Sequence, residues 1–277
     1  MAEATLTRVV LARHIAGAPT PADFRLETVP IPALAEHQFL VANNYVSADP
    51  GTRSRLSPGA SYAPPLQPGA TIDGFSVGRV VESRNEKFAV GTLLTLGAGG
   101  SATHSLSNGR GYVAALPELG VPATAWLGAL GVPGMTAYFG LKRVAEMRAG
   151  ANVLVTSAAG PVGRPPGSSR MMRPRGRIIV SGMVADYNRS AAESPGLHNT
   201  REFIGRRLRM EGMVVFDDLP AFPAAQAEVA ALLRAGKLKT REVIRDGVEA
   251  LPALFSDLFA PGNADFGRRL VRVGAGA

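Results

Sequence analysis

The residue types and spacing best suited to chemistry stand in "VLVTSAAGPVG", residues 153–163. An apolar run, Val153–Thr156, reads as a strand and leads into Ala158-x-Gly160-x-x-Gly163. That is the dinucleotide fingerprint with alanine in its first place. Small residues let the backbone approach a pyrophosphate closely. A helix that opens there offers free N–H groups and the positive end of its dipole. Pro161 suits a first helical turn, although it removes one donor. Ala159, Gly160, Val162 and Gly163 are therefore candidate cofactor contacts. A tight turn after any strand has the same look, and on the motif alone both readings stand.

No other constellation competes with that turn. The chain has no cysteine, and its four histidines, His14, His37, His104 and His198, are dispersed. No catalytic zinc set is expected. This disfavours zinc-assisted alcohol oxidation and fits a reaction in which a bound cofactor does the hard step. Thirty basic and 22 acidic side chains give a formal charge of +8, which on charge alone admits nucleic acid. The basic residues gather in two places, Arg164–Arg177 and "REFIGRRLRM" at 201–210, and neither interleaves with stacking aromatics. They read as solvated surface, and no nucleic-acid partner is expected. No uncharged apolar stretch is long enough to span a membrane. The N-terminus does not read as a signal peptide. The expected protein is soluble and cytoplasmic.

The elements that must position the turn change character along the chain. The first 120 residues look β-rich: "QFLVANNYVS" (38–47), "GFSVGRVVES" (74–83) and "VGTLLTLG" (90–97) are strands bounded by turn formers, as in a barrel-like unit. "LSPGASYAPPLQPG" (56–69) is a Pro/Gly loop. Residues 123–145 have helical spacing on both sides of a Pro133–Gly134 break. "GRIIVSG" (176–182) is a short apolar run of the kind buried in a parallel sheet. "LRMEGMVVFD" (208–217) is another strand. "AAQAEVAALLRAGK" (224–237) is a helix that Gly236 ends. "DFGRRLVRV" (265–273) returns to strand. This order fits an α/β unit inserted before the last strands of a β-rich unit.

The fingerprint breaks off at once. Pro165, Pro166 and Gly167 follow Gly163, and prolines inside a helix cost about 3 kcal/mol each. The segment "RPPGSSRMMRPRG" has no apolar period and reads as a linker to the strand at Arg177.

Taken together, "VSADPGTR" (46–53), "SYAPP" (61–65), "GFSVGRVVES" (74–83), "LGALGVPGMTAYFGL" (127–141), "VLVTSAAGPVG" (153–163), "GRIIVSGMVADYN" (176–188), "RRLRMEGMVVFD" (206–217), "GKLK" (236–239) and "DFGRRLVRV" (265–273) resemble one family in order and spacing. It is the zinc-independent medium-chain dehydrogenase/reductases, in the NADPH-dependent alkenal/one subgroup that includes prostaglandin and double-bond reductases. The resemblance implies an α/β plus β fold: a GroES-like β-barrel catalytic domain (1–122 and the return at 241–277) and a Rossmann domain, a doubly wound parallel sheet (123–240). Against that pattern the Rossmann domain is truncated. Roughly 60 residues, by the count of strand–helix units, are missing where the linker stands. They would hold the adenosine end of NADPH and its 2′-phosphate. Arg164, Arg170, Arg173 and Arg175 either substitute for those groups or form a solvated loop.

The implied reaction passes a hydride from NADPH to the β-carbon of an α,β-unsaturated ketone or aldehyde, or reduces a quinone. Tyr187 takes the family position near the nicotinamide ribose and substrate, where it bonds the enolate oxygen or relays the proton; its alternative is a tyrosine that anchors a strand end. Asn44, Thr136, Gly182 and Asp265 join the cofactor set by resemblance. Asp265 stands where the family usually has asparagine, which puts a charge near the nicotinamide. Gly51 and Thr52 stand where the family is bulky, which widens that wall of the substrate pocket, and Tyr62 and Met135 shape the pocket or the core. Removing those strand–helix units leaves strands such as Ile178–Val180 with a bare face and an unpaired edge, so a homodimer or larger oligomer is expected. A second function stays open: a cofactor-impaired GroES-like binding module without turnover.

Overall fold

The computed structural model describes residues 4–58, 64–97, 100–155, 172–182, 184, 187–189, 193, 200–260 and 267–274. Thr5–Leu11 (β1) and Phe24–Pro30 (β2) pair antiparallel along their whole length. Phe39–Ser47 (β3) is the spine of the larger sheet. It pairs antiparallel with Ser76–Ser83 (β4) and with His104–Ser107 (β6). Leu93–Leu96 (β5) joins β4, and Val113–Ala115 (β7) joins β5. Close approach of β3 to β4 requires Gly78: a Cβ there would lie 2.4 Å from the Ala42 carbonyl oxygen. The pairing slips beside it, between Asn43 and Tyr45, as at a β-bulge.

The middle of the chain is mainly helical. Ala123–Leu127 is a 3-10 turn, and Val132–Phe139 (α1) follows. The expected break at Pro133–Gly134 is instead the start of a helix. Pro133 lies in its first turn, where the missing N–H has no partner to lose. Gly134 packs so tightly on the Ala129 backbone that a Cβ would overlap it. Arg177–Val180 (β8) and Arg209–Gly212 (β9) form a parallel pair, with Thr200–Arg206 (α2) between them in sequence. Phe222–Arg234 (α3) carries an apolar face onto α1: Phe222, Ala225, Val229 and Ala230 are buried with Trp126, Met135 and Phe139. Gly236, at φ +66°, ends it as expected.

The last segment rejoins the first unit. Glu242–Asp246 (β10) and Arg268–Arg272 (β11) pair in parallel, and β11 pairs antiparallel with β3, so the sheet runs β10-β11-β3-β4-β5-β7. Leu251–Ser256 (α4) closes a core of Val9, Leu11, Phe24, Leu56, Ile72 and Phe255 against β11.

Three expectations need correction. Val153–Val155 is irregular backbone rather than strand and is at least half exposed. Among the described residues no strand pairs with it; without a ladder its amides turn to water. β8 is parallel as expected, but it is only half-buried, and its one partner among the described residues is β9. The run at 208–217 supplies only four strand residues, all exposed, before a 3-10 turn begins at Val215.

Candidate functional site

The site begins where β8 ends. In parallel α/β sheets, ligands bind beyond the carboxyl ends of the strands. Gly182 stands there, two residues past Val180, with its backbone exposed. A Cβ at Gly182 would meet the Tyr187 hydroxyl at 3.5 Å, so phenol and bare backbone lie side by side. The Tyr187 amide donates to the Val184 carbonyl at 3.3 Å, closing the turn that brings the ring back. Gly140, at the C-terminus of α1, lets Met213 and Ile179 pack against the helix end and so supports β8 from beneath.

Asn188 fastens this turn to the β-rich unit. Arg53 Nε donates to Asn188 Oδ1 at 3.0 Å across 135 residues of sequence. The Arg53 side chain is buried at 3% exposure. Its remaining N–H groups reach the Gly17 carbonyl at 2.8 Å, the Ile15 carbonyl at 3.3 Å and Ser57 Oγ at 2.6 Å. Burial lowers the Arg53 guanidinium from its ordinary value, and the charge of Asp23 opposes that shift. A planar fork with several donors is the side chain that can gather acceptors from three segments at once. Arg53 lies in the 3-10 turn Pro50–Arg55, which also carries Gly51. Asp49, just before that turn, accepts from Ser47 Oγ and pairs with Arg268 at 2.7 Å, and Arg268 Nε donates to the Leu127 carbonyl at 2.6 Å. Arg55 pairs with Asp73. The Asp49–Pro50–Gly51–Thr52–Arg53 turn is thereby tied to β11, to the stretch before α1 and to the turn of Tyr187.

The other candidates are placed as follows. Thr136 Oγ1 donates to the Val132 carbonyl at 2.8 Å, the usual back-bond of a helical threonine. Asn44 lies on β3, and its carbonyl accepts from the Val273 amide at 2.8 Å. Met135 is fully buried in the cluster with Trp126 and Phe139. The Gly51 carbonyl accepts from Ser54 Oγ at 2.9 Å. Tyr62, Ala159, Gly160, Val162, Gly163 and Asp265 lie outside the described residues. The structure thus brings Gly182, Tyr187 and, through Arg53 and Asn188, the Gly51 turn into one neighbourhood. Sequence reasoning quoted Arg53 within a motif and gave it no role. A side chain whose partner is so distant in sequence leaves no local signal.

A half-buried aromatic group was also missed. Phe75, Tyr112 and Phe216 meet with ring centroids 5.8–6.5 Å apart. Burial pushes the Tyr112 phenol up to about 12. Among the described residues no three of His, Cys, Asp or Glu gather as a metal site, and no helix is long and apolar enough to cross a membrane.

Residues 7–115 match the N-terminal domain of oxidoreductase. Two curated relatives align along nearly the whole chain. The 2-alkenal reductase (NADP(+)-dependent) of Nicotiana tabacum is 27% identical over 342 positions, covering 98% of each chain. Prostaglandin reductase 1 of Bos taurus is 28% identical, covering 95% of this chain and 97% of its own. Along nearly its whole length the chain is thus similar to the alkenal and prostaglandin reductases. Its fold is that of CurA from Vibrio vulnificus, solved in complex with NADPH: TM-score 0.82, 22% identity, 97% of this chain and 99% of that one. That fold joins a GroES-like unit to a Rossmann unit. The alignment with the tobacco reductase is longer than this chain, whose 277 residues leave a stretch of the relative with no counterpart.

Proposed function

We propose that the protein reduces the C=C bond of α,β-unsaturated ketones and aldehydes with NADPH. The observation that carries this reading is the Tyr187 hydroxyl set against the exposed backbone of Gly182 at the carboxyl end of β8. The end-to-end similarity to the alkenal and prostaglandin reductases supports it. The residues fit the nicotinamide half of the cofactor, because a glycine with a phenol beside it leaves room for a flat ring and a donor to use. Bound there, NADPH supplies the hydride that the β-carbon receives. Tyr187 donates a hydrogen bond to the substrate carbonyl oxygen as negative charge builds on it, and the α-carbon takes a proton afterwards. Arg53, through Asn188, fixes the turn so that the hydroxyl is preorganised. Gly51 leaves the facing wall wide.

The same reading divides the chain into a GroES-like catalytic domain (1–122 and 241–277) and a truncated Rossmann domain (123–240), with no metal. It places Asn44, Thr136, Ala159, Gly160, Val162, Gly163, Gly182, Tyr187 and Asp265 around the cofactor, and Tyr62, Gly51 and Met135 around the substrate. It also takes the enzyme as a cytoplasmic homodimer, since the β8–β9 pair with exposed Met210 and Ile204 nearby is suited to self-association. The test is NADPH oxidation, followed by its absorbance, with and without a simple enone. Enone-dependent oxidation is expected; its absence at saturating cofactor would overturn the proposal in favour of a binding module.

A further inference from the structure

The two arginine-rich stretches of the sequence meet at the amino ends of β8 and β9. Arg177 opens β8, Arg209 opens β9, and their Cα atoms are register partners. Two residues earlier on each chain stand Arg175 and Arg207, both in left-handed backbone, at φ +64° and +51°. Two Arg-x-Arg turns of the same shape therefore lie side by side. A non-glycine residue at positive φ is uncommon, and arginine has no side-chain hydrogen bond to offset it as asparagine does. Between these turns is a cleft of about 330 Å³ lined by Arg175, Arg177, Arg207 and Arg209.

The charges there are poorly neutralised. Arg177 pairs with Glu146 at 2.7 Å, donates to the Val144 carbonyl at 2.9 Å and feels Glu211 more weakly. Among the described residues the Arg207 side chain donates to the nearby Gly205 carbonyl alone, at 3.1 Å. No described carboxylate lies within ion-pair distance of Arg175, Arg207 or Arg209, although the Glu146 charge also reaches Arg209 weakly. Like charges directly opposite on paired strands are destabilising. The backbone amides of Arg175, Gly176, Arg207, Leu208 and Arg209 are all used inside the protein. Any ligand is therefore recognised through guanidinium groups alone.

We propose that this cleft binds a small, multiply charged phosphate ligand, such as a diphosphate or a phosphate ester, at a site separate from the cofactor. Planar guanidinium forks match phosphate oxygens in pairs. The volume exceeds that of a single phosphate and lies at the small end of ligand sites. No aromatic ring lines the cleft, so the stacking that single-stranded nucleic acid uses is missing. The cofactor end of β8 is the other end: Gly182 and Tyr187 follow the strand, and Arg175 precedes it. The four strand residues between them span about 13 Å. The ligand would bear on activity by clamping β8 to β9, the pair on which the turn of Tyr187 rests.

Calorimetric titration of the full chain with inorganic pyrophosphate at low ionic strength tests this, with the Arg175→Gln/Arg209→Gln double variant alongside. One saturable site is expected, with a Kd raised at least about tenfold in the variant, and unchanged in wild type by saturating NADPH. Absence of saturable binding, equal affinity in the variant, or displacement by NADPH would each overturn the proposal. Displacement would assign the cleft to the phosphates of the cofactor. Arg207→Gln, which loses only a local hydrogen bond, gives the same readout should the double variant fail to fold. Pyrophosphate binding is read without substrate, so a protein that fails to reduce enones still decides the question.

Discussion

The β3–β4 sheet and the β8–β9 pair are built from similar residues and held very differently. Along β4, Ser76, Val77, Gly78 and Val80 are buried, with β3 on one side and β5 on the other. Along β8 every residue is only half-buried, and β9 is exposed throughout. Both stretches carry β-branched apolar residues, so composition does not separate them. What separates them is the number of neighbours the topology supplies. A strand between two partners under a covered face reaches full burial, whereas a short parallel pair depends on helices to cover it. Catalytic machinery in the proposed reaction draws on both: a rigid turn from the well-packed unit holds the Tyr187 turn of the looser one through Arg53.

The largest effect should come from breaking the stronger side. Phe39 is fully buried among Val41, Val80, Leu94 and Leu96, with the Phe88 ring 4.8 Å away. Phe39→Ala should cost about 3–5 kcal/mol in urea unfolding followed by circular dichroism. Ile204→Ser, at a side chain 80% exposed, should change stability by less than about 0.5 kcal/mol. Equal costs at the two positions would mean that the β8–β9 region is as tightly packed as the β3–β4 sheet. Next in size is Tyr187→Phe. With enone as substrate its kcat should fall roughly 100-fold, since general acid or oxyanion roles contribute on that order. The dissociation constant of the cofactor should move far less. An unchanged rate would remove the hydroxyl from the mechanism.

What was legible in the sequence follows the same division. β3, β4 and β5 were readable because strand residues between turn formers sit in a sheet that uses them fully. Helix α3 was readable from its alanine-rich apolar face and Gly236. Pro133 misled because proline marks both the break and the first turn of a helix, and only the packing of Gly134 on Ala129 decides which. Val153–Val155 misled because an apolar run implies a strand only when a partner is there to complete the ladder. At the site, Tyr187 and Gly182 came from family resemblance. Arg53 and Asn188 gave no signal, as their contact exists only once stretches 135 residues apart fold together. The arginines at 175–177 and 207–209 read separately as solvated surface; parallel register joins them.

Arg53 sharpens the comparison at its joint. Arg53→Met keeps length and apolar bulk but removes the donor to the Gly17 carbonyl and to Asn188 Oδ1, while the Ile15 carbonyl keeps Ser57 Oγ. Because these acceptors are only partly buried, the lost bonds to the charged guanidinium should cost toward the low end of about 1–3 kcal/mol. The melting temperature should drop, and kcat should fall with KM for the enone nearly constant, because the variant misplaces Tyr187 without touching substrate. Arg53→Lys should not restore kcat, since an ammonium cannot serve three separate segments in one plane. Full rescue by lysine would reduce Arg53 to a simple charge.

A smaller effect is expected from Tyr112, whose half-buried phenol stands at the join of β7 and the Val215–Ala221 turn. Its folded pKa, about 12, lies above the ordinary tyrosine value. The folded state therefore holds this proton more tightly than the unfolded chain. The resulting stabilisation is fully present below about pH 10 and is lost as pH rises toward 12. Thermal unfolding across that window should fall more steeply for wild type than for Tyr112→Phe. Parallel slopes would show that the phenol is not desolvated, and that the two units leave water between them at this contact.

The smallest effect expected is a ratio near one. Discrimination between NADPH and NADH rests on groups that meet the 2′-phosphate, carried in doubly wound folds by the strand–helix units that follow the fingerprint turn. The tobacco reductase alignment runs longer than this chain, and in the proposed reading the segment with Pro165 and Pro166 stands where those units belong. The arginine cleft lies at the opposite strand end and does not replace them. Dissociation constants for the two cofactors, measured by quenching of the emission of Trp126, should therefore agree within a factor of about three, less than 1 kcal/mol. Both should be weaker than for a reductase with the complete unit. A preference for NADPH beyond about tenfold would show that the chain rebuilds the phosphate site from its own arginines. Repeating the comparison in Arg175→Gln/Arg209→Gln would then say which ones. A preference abolished by that variant would join the cleft to the cofactor, whereas one that survives would place the phosphate against the linker arginines instead.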